Sequence, residues 1–432
     1  MNERSAHVKA AHEEYIFPCA KPLYDEPIVA VEAKGVKLID AEGDEYLDLI
    51  AGILTTSIGH CHPVVIDRVS EQMKKLGHTS TLYITENQVN AGKELASIAP
   101  GKLKSTFFTN SGTEAVETAI TLAQCHTDRQ EIIVLRNGYS GRSVLASNMT
   151  GHGPWRPTTS VIPFLKYAMS PYPYRSPFDP EDEKLGEKMA QDIEDVIRTT
   201  TNGKPAAFFA ETIQGVGGFV VPPKGYFQKA AEIIRSYGGL FISDEVQAGF
   251  GRTGDKWFGI EHWGVEPDIM VMAKGIANGA PVGATITRPE IAASWTAKTF
   301  STYGGNPISM AAMEATLEVM KQENTPALSA KRGKQLRAGL DALYQKYHWI
   351  GEVRGMGLMQ GIELVEDRNG KTPSPAKAKA FIESAKAEKL LVGAGGLDGH
   401  VIRIAPSMLI SEAETDDAIE RLNRTCQRVN DM

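Results

Sequence analysis

Cysteine is scarce: the 432 residues hold four, Cys19, Cys61, Cys125 and Cys426, widely spaced and without a C-x-x-C pair. That pattern supports neither a disulfide framework nor a zinc knuckle, and it suits a reducing compartment. Positive charge is not in excess either. With 46 Lys and Arg against 53 Asp and Glu, the formal net charge is -7, which argues against nucleic acid or an anionic membrane as the main partner. No apolar run reaches the roughly 20 residues of a membrane-spanning helix. The opening MNERSAHVKAAHEEY mixes both signs of charge and lacks the apolar segment of a secretory signal. There is no internal repeat, and the glycine-rich VGAGGLDGH lacks the strand, G-x-G-x-x-G, helix order of a dinucleotide site. The expectation is a cytoplasmic globular protein whose partners are small molecules and other proteins.

What is present is an ordinary core-forming composition, 42% hydrophobic and 23% charged, enough for two or three packed units. Residues 28–50 alternate apolar and polar residues between the turns AKG and AEGDE, as an antiparallel meander does. From about 64 to 300, helix-like stretches such as PVVIDRVSEQMKKL alternate with short apolar strands: STFFT, EIIVLRN, AAFFAE, GGLFISDE and DIMVMA. This is the signature of a mainly parallel sheet with helices on both faces, and ligands gather beyond the carboxyl ends of such strands. A long helix over 308–347 breaks near QENTP. Two glycine-flanked strands in GEVRGMGLMQGIELVED, an amphipathic helix, the strand HVIRIAPSM and a final helix follow. The chain divides into an N-terminal segment (1–60) packing on the C-terminal unit, a large domain (61–315) and a small α+β domain (316–432). The proline- and tyrosine-rich YAMSPYPYRSPFDP reads as a covering loop or subunit contact.

Several features fall at the carboxyl ends of the expected strands. In TNSGTEAVETAITLA, Ser111 and Glu114 have capping-box spacing, and Ser111, Gly112 and Thr113 at a helix start also make a cup for phosphate. Both readings can hold together. Asp244 and Glu245 end an apolar strand, where acids are costly unless something positive meets them. Lys274 ends the next strand, thirty residues later. Tyr139, just past EIIVL, offers a ring to stack on. Pyridoxal phosphate needs these residue types: a lysine for a Schiff base, a carboxylate for the pyridine nitrogen, and a helix N-terminus for the phosphate.

TNSGTEAVETAI, DEVQAGFGRTG, MAKGIANG and TFSTYGGNP together resemble the class III aminotransferases, fold type I pyridoxal-phosphate enzymes, over roughly residues 20–428. GHCHP, HTSTLY, AETIQGVGGFVVPPKG and VRGMGLMQGIELV are most similar to the alanine-glyoxylate aminotransferase 2 group, with omega-aminotransferases close behind. The resemblance implies an α/β fold: a large domain with a seven-stranded, mainly parallel sheet, and a smaller C-terminal domain. It implies that Lys274 carries the cofactor and shuttles the proton, that Asp244 pairs with the pyridinium nitrogen, and that Val246 packs opposite Tyr139. Ser111, Gly112 and Thr113 would hold the phosphate, Glu211 and Gln247 would line the cofactor, and Arg403 would take the substrate's α-carboxylate. Thr302 would reach the phosphate from a neighbouring subunit, in a homodimer or tetramer with sites at the interface.

Three positions depart from the family pattern. Tyr139-Ser140-Gly141 replaces Tyr-His-Gly, Glu211-Thr212 replaces Glu-Pro, and Val216 stands where related enzymes carry a glutamate that pairs with the arginine at 403. The last leaves Arg403 unshielded and favours α-carboxylate substrates. Arg142 matches an arginine that binds a distal carboxylate in bacterial 4-aminobutyrate transaminase; a structural ion pair is the alternative. His60, Cys61 and His62 in GHCHP lack the further ligands a metal needs, so no metal is expected. The expected reaction is transfer of an amino group from an amino acid or omega-amino acid to a 2-oxo acid, pyruvate or glyoxylate, by a ping-pong cycle. The alternatives are a 4-aminobutyrate-type enzyme using 2-oxoglutarate, a racemase or aminomutase on the same scaffold, and a silent binding protein, which would have no need of the full set.

Overall fold

Alternating residues joined by the AKG and AEGDE turns form three short antiparallel strands, β1 (Ala30–Lys34), β2 (Lys37–Asp40) and β3 (Glu45–Asp48), in the computed structural model, which describes residues 2–432. The large sheet follows with β4 (Ser105–Thr109), β5 (Ile132–Leu135), β6 (Leu165–Ala168), β7 (Ala207–Glu211), β8 (Leu240–Asp244), β9 (Ile269–Met272) and β10 (Gly283–Thr287). Its order is β4-β10-β9-β8-β7-β5-β6. Only β10 runs antiparallel to its neighbours, β4 and β9. The other six strands therefore present their carboxyl ends at one edge. Two strands, β6 and β10, were not among the apolar runs read from sequence: LKYA and GATIT carry few large apolar side chains, and their neighbours pair them into the sheet.

The sheet is buried on both faces. Val116, Ala119 and Ile120 of the helix Gly112–Thr127 pack with Ile132, Val134, Ile242 and Val271 on one side. Met189, Ile193, Phe227 and Ile234, from the helices Leu185–Thr200 and Tyr226–Ser236, pack with Ile133, Phe208, Phe241 and Met270 on the other. Each such side chain contributes about 1.5–3 kcal/mol of burial, and the alternation along each strand feeds both cores.

The helices Pro307–Gln322 and Thr325–Lys346 meet at Asn324, whose φ of 49° breaks the helical course. Residue 315 lies inside the first of them. A second sheet comprises β11 (Ile350–Met356), β12 (Met359–Leu364), β14 (Gly393–Gly395) and β15 (Val401–Ile404), in the order β11-β12-β15-β14. Between them β13 (Leu390–Leu391) leaves to pair with β3, Leu390 opposite Leu47. Chain from both ends thus shares one small sheet. Among the described residues no helix is long and apolar enough to cross a membrane.

Candidate active site

The residues singled out in the sequence converge at the carboxyl edge of the large sheet. β4 runs into the helix Gly112–Thr127, and Ser111 caps it by accepting the Glu114 amide at 3.3 Å. The Glu114 carboxylate reaches back to the amide of Asn110, at 2.7 Å, rather than to that of Ser111. The capping box read from sequence is therefore displaced by one residue. First-turn amides have no intrahelical acceptor, so Gly112 and Thr113 bring unpaired donors and a helix dipole to the wall of a cavity of about 370 Å³. Thr113 Oγ1 also accepts the Arg142 amide at 3.2 Å, which seats Arg142 on the same rim.

On the facing wall, Asp244 and Glu211 sit side by side in register at the ends of β8 and β7. Asp244 accepts the Val246 amide at 2.9 Å. Glu211 accepts the Tyr139 amide and the Gly215 amide, both at 2.8 Å, and so ties the Tyr139 loop to the turn that follows β7. Lys274 follows β9 and holds a left-handed backbone, φ 48°. Such a conformation is unfavourable for lysine and is retained where the surroundings impose it. Burial pushes the Lys274 amine below its usual range, with Asp244 and Glu211 pulling the other way. Burial raises Asp244, opposed by the Val246 amide and Lys274, and raises Glu211 further because Asp244 adds a like charge. Asp244 has no salt bridge among the described residues, although Lys274 shares its cavity.

Val246, Gln247 and Tyr139 complete the wall. The Tyr139 ring meets Trp155 edge-on at 5.7 Å, and Gln247 Oε1 is buried without a partner. Thr55, Asn110 and the segment 279–282 also line the cavity. Sequence reading missed them; the only signal was the glycine and proline after Lys274. Two expected residues stand elsewhere. Thr302 is exposed and does not line the cavity of its own chain. Arg403 lies beside the cavity rather than among its lining residues. Its Nε donates to the Ala394 carbonyl at 2.6 Å, and Nη1 lies 3.4 Å from the Gly215 carbonyl. Burial lowers its pKa to about 10, with Glu211 the opposing influence. It makes no salt bridge among the described residues, and the nearby Val216 supplies none.

The donor set fits pyridoxal phosphate: free first-turn amides for a phosphate, a buried carboxylate without a cation, a lysine with a depressed pKa, and an orphaned amide oxygen around one volume of suitable size. The aminotransferase class-III family profile matches residues 20–426. This chain is a class III aminotransferase. It is similar to alanine--glyoxylate aminotransferase 2 homolog 2, mitochondrial, of Arabidopsis thaliana, at 41% identity over 98% of this chain and 87% of the relative. It is also similar to the Homo sapiens alanine--glyoxylate aminotransferase 2, mitochondrial, at 37% over 95% and 84%. Among solved structures, an amine transaminase from an uncultivated Pseudomonas species in its PLP-bound form superposes with a TM-score of 0.90, at 29% identity, covering 96% of this chain and 98% of that one. The α/β fold with its seven-stranded sheet is that of the fold type I transaminases, and pyridoxal phosphate is the cofactor of this aminotransferase.

Proposed function

We propose that this aminotransferase takes the amino group from an α-amino acid or omega-amino acid and delivers it to pyruvate or glyoxylate. The observation that carries this reading is Arg403: a buried guanidinium beside the cavity, held by two carbonyls and by no carboxylate. A substrate carboxylate would supply the missing charge in bidentate form. The names of the Arabidopsis and human relatives agree with alanine as donor and glyoxylate as acceptor.

When bound, pyridoxal phosphate supplies an aldehyde for amines and a ring that takes up the electron pair released at the substrate's α carbon. The chain's residues have separate tasks. The amides of Gly112 and Thr113, with Ser111, bind the phosphate. Asp244 would hold a proton on the pyridine nitrogen, and Val246 and Tyr139, which line the same cavity, would flank the ring. Lys274, whose amine burial pushes below its usual range, would anchor the cofactor and carry the proton taken from the substrate's α carbon. Gln247 and Glu211 line the remaining edge.

A second reading rests on Arg142, which lines the cavity with an exposed side chain: a distal carboxylate there would make 2-oxoglutarate the acceptor. The experiment is a donor and acceptor matrix followed by absorbance of each half-reaction, with pyruvate, glyoxylate and 2-oxoglutarate. Turnover with pyruvate or glyoxylate is expected. Turnover with 2-oxoglutarate alone would overturn that acceptor assignment, and conversion of an amino acid without any oxo acid would indicate a racemase or aminomutase.

A further inference from the structure

Strand register places Arg354, Gly361, Arg403 and Gly393 in one row across β11, β12, β15 and β14. Residues opposite one another in antiparallel strands project to the same face. Two arginines therefore rise from one face about 10 Å apart, with a bare glycine between them. A Cβ on Gly361 would lie 3.0 Å from the carbonyl oxygen of Gly218, so that carbonyl rests on the gap. Arg354 Nε donates to the same oxygen at 2.8 Å. The turn 215–218 is thus seated at Gly218, and it closes on itself through the Gly218 amide and the Gly215 carbonyl, at 3.1 Å. That Gly215 carbonyl is the one Arg403 Nη1 approaches.

The two arginines are balanced differently. Arg354 Nη1 lies 2.5 Å from both Glu352 and Glu363. Glu363 is fully buried and also receives Arg175 Nε at 2.7 Å and the Tyr172 hydroxyl, with His400 Nε2 at 3.3 Å. Tyr172 and Arg175 belong to the proline- and tyrosine-rich loop, and the Tyr172 ring lies 4.8 Å beneath the Arg354 guanidinium. Arg354 is thereby neutralised and immobilised, whereas Arg403, across Gly361, makes no ion pair among the described residues.

We infer that Arg354 and Glu363 are positioning residues for Arg403. Their ion pair clamps Gly218 onto Gly361, and the clamped turn presents the Gly215 carbonyl that sets the Arg403 guanidinium for a carboxylate. This rests on the reading of Arg403 as the carboxylate site. A displaced or mobile turn would misalign a bidentate contact, whereas Lys274, Asp244 and the phosphate cup stand on other elements and keep their places.

The test titrates holoenzyme with propionate, a carboxylate without an amine, by calorimetry, and measures the dissociation constant of pyridoxal phosphate in parallel. The variants are Gly361→Ala, Glu363→Gln, Arg354→Lys and Arg403→Gln. Propionate affinity should fall roughly tenfold in the first three and at least about as much in Arg403→Gln, while cofactor affinity stays within about twofold in all four, well inside a tenfold, 1.4 kcal/mol change. Arg354→Lys keeps the charge beside Glu363 but loses the guanidinium Nε that reaches Gly218, so it decides the matter should the other two fold poorly. Unchanged propionate binding in those three, with loss in Arg403→Gln, overturns the positioning role. Equal losses of propionate and cofactor affinity also overturn it, since they mark a merely structural pair. Unchanged binding in Arg403→Gln overturns the carboxylate reading instead.

Discussion

At the scale of single residues, the acids on β8 carry different loads. Asp244 faces the cavity, and its neighbour Glu245 is buried away from it, accepting the Gly259 and Ile260 amides at 2.8 Å and the Ser243 hydroxyl at 3.2 Å. Asp244→Asn should leave cofactor content intact, measured as dialysis-stable stoichiometry, yet slow the amine half-reaction by at least about a hundredfold, because the ring then lacks a charged partner at its nitrogen. Near-normal turnover would remove Asp244 from the mechanism. Glu245 makes no salt bridge among the described residues, and burial raises its pKa from 4.5 to about 7. Its folded pKa exceeds its unfolded one, so the native state binds more protons between those values. Stability should fall as pH rises from about 4.5 to 7, by up to about 3 kcal/mol from this group. Denaturant unfolding across that range, compared between the wild type and Glu245→Gln, isolates the contribution. Identical slopes in the two proteins would show that Glu245 does not titrate there.

Among the elements, strands with continuous apolar runs and strong flanking turns were legible, as was the order in which they deliver Ser111, Asp244 and Lys274 to one edge. What was not legible depended on contacts between distant segments. β10 has Ile286 as its one large apolar side chain and does not stand out, but its first residue abuts the proposed phosphate cup: a Cβ on Gly283 would fall 2.2 Å from the Ser111 carbonyl and 2.4 Å from Thr109 Oγ1. Gly275, directly after Lys274, is required by a distant segment that sequence does not reveal: a Cβ there would lie 2.3 Å from Ser57 Oγ. The left-handed lysine could not be foreseen either, since only the packed surroundings impose it. Gly283→Ala must push the Ser111 cap, and overpacking of this kind costs about 1–3 kcal/mol. It should weaken pyridoxal phosphate binding about tenfold or more while far-ultraviolet circular dichroism stays native. Wild-type cofactor affinity would mean that β10 does not shape the cup.

At the scale of the whole molecule, Thr302 stands exposed in a segment where Phe300 and Tyr303 are also exposed. Its neighbour in space is the loop at 77–84: the Tyr303 ring lies 5.0 Å from that of His78. That loop displays Leu82 at 74%, Tyr83 at 68% and Ile84 at 90% exposure. Large apolar side chains gathered on one surface mark a protein partner, and a second copy of this chain would cover them while bringing its own Thr302 toward the phosphate cup. A dimer would thus account for both the apolar surface and the residue absent from the cavity of its own chain. Ile84→Glu places a charge in that surface, where desolvation is unfavourable. In sedimentation velocity the wild type should run as a dimer or larger, and Ile84→Glu should dissociate at protein concentrations about tenfold higher or more. Cofactor affinity should fall in step with dissociation if Thr302 of a second copy completes each cup. A dissociated Ile84→Glu protein that holds pyridoxal phosphate as tightly as the wild type would assign the whole phosphate site to one chain and leave Thr302 without a role in it.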